Sequence, residues 1–342
     1  MKKFLSVRTV ITAFYERYSR YVNGLMRFAF SLTVYLTVIY NTGYNTGISS
    51  PFLAVGMALI SVFLPRSVIS VLTAVLVFLE FLSVSVTVAA VAGVLFFVML
   101  LMYFVFRPGD SWLMPLTLMI CLFNITPALL PIGLMINPAE VIVVLFGVVI
   151  YGLMVVVKKD FSVLSSASGS LTVGGQVNLV LTDLVTNNRF ILIAVTLTVS
   201  LLFIAAVRHS RINYAGPVAA VAGGLLYLLS FLLGSYFLSV TVNYVLLLAG
   251  YVLDAVISFF ILAFVINVDY RRTENVQFED EDYYYFVRAV PKSSIAAAEK
   301  KEENITEAAD FRDHGAIEEA LLNQQGVFVH HPDEDTEVKQ EE

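Results

Sequence analysis

Residues 67–106 read SVISVLTAVLVFLEFLSVSVTVAAVAGVLFFVMLLMYFVF, and Glu80 is the only charge among them. A bilayer core of roughly 30 Å takes about 20 apolar residues as helix. This run is too long for one ordinary span, even a tilted one. The polar interruption at Ser83–Ser85 divides it into two. Pro65-Arg66 precedes the pair, and Arg107-Pro108-Gly109-Asp110 closes it.

The same reading extends outward in both directions. Residues 28–46 supply a first span, and Asn45-Thr-Gly-Ile-Ser-Ser-Pro51 is a polar connection. Residues 52–64 form a short second span. Later spans occupy residues 138–157, 190–207, 213–238 and 240–267, and Arg271-Arg272 ends the body. The expected fold is an all-α integral membrane protein of about eight transmembrane helices plus one broken segment. Composition agrees: the 342 residues are 58% hydrophobic and only 14% charged, against about 25% charged in soluble domains.

The broken segment is residues 111–136. It is apolar but interrupted by Pro115, Asn124, Pro127, Pro131 and Gly133. An interior proline removes a helical hydrogen bond and clashes with the preceding turn. In lipid the freed carbonyls must find protein or water partners. Residues 111–136 are therefore either a proline-kinked span or a re-entrant pair of half-helices, and broken helices of the second kind line substrate or ion sites.

Charge is segregated along the chain. The arm 1–26 and Arg27 carry Lys2, Lys3, Arg8, Arg17, Arg20 and Arg27 against Glu16. Phe4, Val7, Ile11, Phe14, Tyr15, Tyr18, Tyr21 and Val22 recur there at helical spacing. That pattern predicts a basic amphipathic helix on the surface of the cytoplasmic leaflet. Residues 268–342 hold 20 acids and 8 bases, and the whole chain has a net charge of −6. Outside the N-terminal arm there is no basic footprint for nucleic acid.

Lys and Arg favour cytoplasmic loops. The arm, Arg66, Arg107, Arg208/Arg211 and Arg271/Arg272 all reach the cytoplasm if 111–136 enters and leaves on one side. Both termini are then cytoplasmic, and the 160–188 loop, with Lys158 and Lys159 before it, lies outside. In the competing topology 111–136 is a full span, and the tail lies outside. The chain thus divides into the arm 1–26, a transmembrane domain 27–268 and an acidic tail 269–342.

Several residues are candidates for a solute or ion path. Asp254 sits mid-span, where a charge costs roughly 2.5–3.5 kcal/mol or more. Helical spacing places Asn243, Tyr251, Asp254 and Ser258 on one polar stripe, which suits a proton, an ion or interhelical hydrogen bonds. Asn124, beside Pro127 and Pro131, is a second candidate, and Glu80 a third. Asn137-Pro-Ala-Glu140 reads as a helix start, with Glu140 at the third helical position. Asp183 belongs to the polar 160–188 loop, where Ser165–Ser170 and Gly174-Gly175 mark irregular chain. The apolar stretch 177–185 is too short to span.

The catalytic and cofactor patterns are missing. There is no G-x-x-x-x-G-K-[ST] phosphate loop, no H-E-x-x-H and no G-x-S-x-G. Cys121 is the single cysteine, which excludes an intrachain disulfide and a cysteine-based metal site. His330-His331 in an acidic tail is the one metal-like pair, and it lacks cysteine partners. The reading is of no enzyme, no cofactor and no bound metal.

The tail begins Asp269-Tyr-Arg-Arg-Thr-Glu-Asn-Val-Gln-Phe-Glu-Asp-Glu-Asp-Tyr-Tyr-Tyr-Phe-Val-Arg-Ala-Val-Pro-Lys292. Residues 276–290 within it predict a β-hairpin turning at the acidic run 279–282. Residues 294–310 and 314–325 have helix-forming composition, and the remainder is expected to be disordered. The juxtamembrane stretch resembles the tail of uncharacterised polytopic membrane proteins of Firmicutes, commonly labelled transporter (ABC-type) permeases. The resemblance implies a permease-like protein of the bacterial inner membrane without an ATPase of its own. It implies no catalytic residues, and the chain has no clear coupling-helix signature of importer permeases. Its partners would be the bilayer and a separate ATPase or other soluble cytoplasmic protein. The alternative is a non-transporting scaffold for envelope assembly that recruits partners through its tail.

Overall fold

The computed structural model describes residues 2–45, 47, 49–106, 111–165, 172–210, 212–266, 274–279 and 284–289. Arg8–Pro291 form one compact unit, to which the following description refers. Among the described residues, seven helices are long and apolar enough to cross a membrane. The body is therefore that of a multi-pass, all-helical membrane protein.

Helix α1 runs Lys2–Thr42, with non-helical torsions at Tyr18. Two helices therefore meet at a kink at Tyr18, one in the arm and one in the first span. No proline interrupts residues 2–42, so the backbone bends at Tyr18 and continues, and the membrane-length portion starts at Arg17. Helix α2, Pro51–Phe63, is capped by Ser50. It rises only ~20 Å and is not among the seven, which corrects the eighth span.

Helices α3 (Ser67–Val84) and α4 (Val86–Phe106) meet at Ser85, whose backbone is extended. The long apolar run divides where its serines lie. Helix α5 covers Leu113–Phe123, and a 3₁₀ helix follows over Thr126–Leu134. Asn137 and Glu140 form a capping box, with the Asn137 N–H donating to Glu140 Oε2 at 3.1 Å. Helix α6 then runs Val141–Lys159.

The region read as a polar loop contains two helices, α7 (Phe161–Leu164) and α8 (Val173–Thr186). Gly174 and Gly175 open α8 rather than a loop, because Thr172 caps it and accepts from the Gly175 N–H at 3.2 Å. Buried Val180 and Leu184 hold one face of α8 against the body. Helices α9 (Asn188–Arg208), α10 (Ala215–Phe237) and α11 (Tyr244–Phe260) complete the bundle, and α11 widens into a π turn over Ile261–Val265. Beyond it Glu274–Glu279 (β1) and Tyr284–Ala289 (β2) pair antiparallel, with Glu274 opposite Ala289. The expected turn residues 280–282, the 294–325 helices and His330-His331 lie outside the described residues.

Side-chain contacts sort the helix ends into two groups. At one end, Arg27 donates to Leu64 O (3.2 Å) and Ser70 to Ser111 O (2.6 Å). Leu113, Ile136, Val141 and Leu201 share one buried cluster there. At the other end, Ser85 donates to Gln176 (3.1 Å), Lys159 to Asp183 (2.6 Å), Arg189 to Asn124 (2.6 Å) and Asn188 to Leu238 O (3.0 Å). These are called the Arg66 end and the Arg189 end. The 111–136 segment starts and finishes at the Arg66 end and turns at Asn124. The proline-broken stretch is therefore a hairpin of two short helices, Leu113–Phe123 and Thr126–Leu134.

Candidate functional site

The turn of that hairpin begins with a strained but suitable residue. Asn124 closes α5 in the left-handed region, φ 60° and ψ 27°, a conformation that asparagine tolerates better than most residues. Its N–H bonds to Cys121 O, and the next N–H, that of Ile125, reaches back to Ile120 O at 3.3 Å. These bonds satisfy carbonyls at the helix end, as in a Schellman motif. Pro127 and Pro131 then deny the chain a regular α-helix, and 3₁₀ geometry follows. Gly250 of α11 lets this segment come close, since a Cβ there would sit 2.7 Å from Pro127 Cδ.

Because backbone bonds complete the turn, the Asn124 side chain is available. Its Oδ1 accepts from Arg189 Nη2 at 2.6 Å. Arg189 is the second residue of α9, whose start is fixed by Asn187 accepting from the Phe190 N–H at 3.0 Å. Asn243 caps α11 and accepts from the N–H groups of Val245 and Leu246 at 3.1 and 3.3 Å. Asn124, Arg189, Thr241, Val242 and Asn243 line an open cleft of about 590 Å³. A small chamber of about 30 Å³ continues beneath it toward Thr126, Leu192 and Phe231.

The electrostatics of this cleft have one sign. A guanidinium faces it, and the N-termini of α9 and α11 open onto it with their partial positive charge. No carboxylate lines it, and among the described residues no acid forms an ion pair with Arg189. Such an arrangement attracts an anion or a carboxylate-bearing solute.

The predicted stripe is only partly assembled. Ser258 donates to Asp254 Oδ1 at 3.1 Å, and Tyr251 donates to Gly224 O at 3.1 Å. Asp254 Oδ2 lies beside Gly224, 3.7 Å from where a Cβ would stand, an ordinary van der Waals distance. Tyr251, Asp254 and Ser258 thus share the α10-facing side of α11. Behind them Tyr227 is fully buried, its hydroxyl 2.6 Å from that of Thr126. Asn243 does not belong to this stripe. It is occupied as a helix cap and lies ~16 Å up the axis from Asp254. Asn124 and Asn243 come together at the cleft, while Asp254 sits further along the helix and does not line it.

Glu80 is elsewhere again. It is fully buried, accepting from the Tyr44 N–H at 3.1 Å and the Ser49 hydroxyl at 2.8 Å. Asp183 is not merely solvated, since Lys159 donates to it at 2.6 Å and holds its carboxyl below the usual aspartate range. Among the described residues, no three His, Cys, Asp or Glu side chains gather as a metal site.

Sequence reading missed Arg189, Tyr227 and Thr126. Arg189 carried the one visible signal, a cation just after Asn187-Asn188 at the head of an apolar run. No protein family, curated protein or solved structure matches this chain.

Proposed function

We propose that this chain is a permease-like component of a bacterial cell membrane that admits a small anionic solute at the Arg189 end. The observation that carries the reading is the Arg189 guanidinium, held on Asn124 at the turn of a broken segment and facing a cleft without carboxylates. Irregular backbone at membrane depth is tolerated where it is buried in protein or lines a water-filled cavity. Asp254, half-buried further along the bundle, is suited to carry a proton with the solute. Glu80 is not part of the path in this reading.

The positive-inside rule places the Arg66 end in the cytoplasm, together with both termini, the hairpin and the acidic tail. The Arg189 cleft then opens to the outside. A separate ATPase, docked at the cytoplasmic end, is the alternative energy source to Asp254-linked protons, in keeping with the permease-like tail. Sidedness is tested by labelling Thr182→Cys and His209→Cys in a Cys121→Ser background with an impermeant thiol reagent. Labelling of position 209 but not 182 in intact cells overturns the orientation.

Transport is tested in proteoliposomes with radiolabelled acetate, succinate and inorganic phosphate. Uptake of one of them, lost in Arg189→Met at unchanged protein level, supports the reading. Equal uptake by wild type and Arg189→Met removes the cleft from the mechanism. The scaffold alternative rests on the acidic tail: deleting residues 276–342 would abolish capture of a soluble partner and leave uptake at zero in both forms.

A further inference from the structure

We propose that the crevice between α3 and α4 holds one acyl chain of a phospholipid from the leaflet at the Arg66 end. The two helices converge toward Ser85 and close on each other where Gly93 meets Phe78; a Cβ on Gly93 would lie 3.2 Å from that ring. Below this point they enclose about 370 Å³ against α5 and α6, floored by Met114, Val143, Phe146 and Ile150. That volume falls in the usual range for small-molecule sites, roughly 300–1,000 Å³.

Three observations select the occupant. Polarity is confined to one end: Ser67, Ser70, Tyr103 and Ser111 line the mouth, and the rest of the wall is apolar. From Ser67 to Phe78 the helix rises ~16 Å, about half of a ~30 Å hydrocarbon core, or one leaflet. At the mouth, the first turn of α3 has no acidic residue and no side-chain cap. Exposed Arg66 stands beside that helix N-terminus, which favours a phosphate headgroup. A helix from a second copy does not fit, since a cylinder ~10–12 Å wide displaces far more than 370 Å³ over that length. The Ser70 bond to Ser111 O fixes the mouth, so the site is built before the lipid arrives.

The full chain, purified in mild detergent, should retain about one phospholipid per chain in native mass spectrometry. Ala74→Phe fills the crevice and should reduce retention at least ~tenfold, as loss of a few buried methylenes requires. Val199→Phe, on the exposed face of α9, should leave retention unchanged. A second measurement needs no variant: in vesicles containing phosphatidylglycerol with a diazirine on its acyl chain, the wild type should be labelled within residues 71–78 and 93–100. Absence of retained lipid, retention unaffected by Ala74→Phe, or labelling spread evenly over the exposed helices overturns the proposal. So does a lipid-free dimer that Ala74→Phe dissociates, which would assign the crevice to a second copy.

Discussion

Replacing Asn124 by alanine and, separately, by glycine tests the turn on which the cleft depends. Both changes remove the amide that accepts from Arg189. Hydrogen bonds to charged groups contribute about 1.5–3 kcal/mol when buried. Here Asn124 is half-buried and Arg189 exposed, so solvent reduces the loss to about 1 kcal/mol. The two variants differ in the backbone. At φ 60° alanine meets its own carbonyl, at a cost of roughly 1–2 kcal/mol, while glycine meets nothing. Glycine in turn gains freedom in the unfolded chain, worth about 0.5–1 kcal/mol. The net expectation is that Asn124→Gly is less stable than wild type by about 1.5–2 kcal/mol, and Asn124→Ala lower still by ~0.5–1 kcal/mol.

The assay is reversible unfolding in mixed micelles, followed by circular dichroism against mole fraction of denaturing detergent. An alanine variant equal to or more stable than the glycine variant refutes the left-handed turn. A double-mutant cycle with Arg189→Met isolates the side-chain pair, whose coupling should be ~1 kcal/mol. Zero coupling would mean that Asn124 does not position the guanidinium.

The remaining predictions concern the other acids. Glu80→Gln leaves one oxygen for two donors and sets an NH₂ against the second, costing about 1–3 kcal/mol in the same unfolding assay; an unchanged midpoint would show that Glu80 does not hold Tyr44 and Ser49. Asp254→Leu removes a carboxyl that costs roughly 2.5–3.5 kcal/mol at the bilayer centre, so the variant should be at least as stable as wild type yet inactive in proteoliposomes. Retained uptake there removes Asp254 from the path. Lys159 lowers the Asp183 carboxyl below its ordinary range, so that pair stabilises at neutral pH and is lost only as pH falls through the depressed value. Thermal midpoints of wild type and Asp183→Asn should therefore differ by a constant amount from pH 7 to 5 and converge below about pH 4; a difference that grows on acidification contradicts the pairing.

The sequence reading succeeded where local chemistry was decisive. Run length and the Ser83–Ser85 interruption predicted the α3–α4 division, the prolines predicted the break after Asn124, and Asn137–Glu140 predicted a helix start. It failed where the outcome depended on packing. Gly174 and Gly175 read as loop in the sequence, yet burial of Val180 and Leu184 stabilises the helix α8 that those glycines weaken. Asn243 was placed on a stripe by periodicity, although asparagine just ahead of an apolar run is also a capping signal. The cleft was beyond reach for a different reason: Asn124, Arg189 and Asn243 are separated by whole helices, and no local pattern announces their meeting.

Two irregular stretches of the body differ in how their backbone is satisfied. Helix α2 rises only ~20 Å of a ~30 Å core, and the described residues ahead of it, Gly43–Asn45, Gly47, Ser49 and Ser50, bring polar groups to the Arg189 end. Glu80 meets two of them while fully buried, and Tyr44 stacks on Phe161 with ring centroids 5.0 Å apart. That opening is plugged by protein. The 111–136 hairpin brings irregular backbone into the same half of the bundle, but the space above its turn holds Arg189, Asn243 and an open cleft instead of a buried carboxylate. One stretch is thus closed by a dedicated glutamate, and the other is left open with a cation at its mouth, which is the contrast on which the proposed solute site rests.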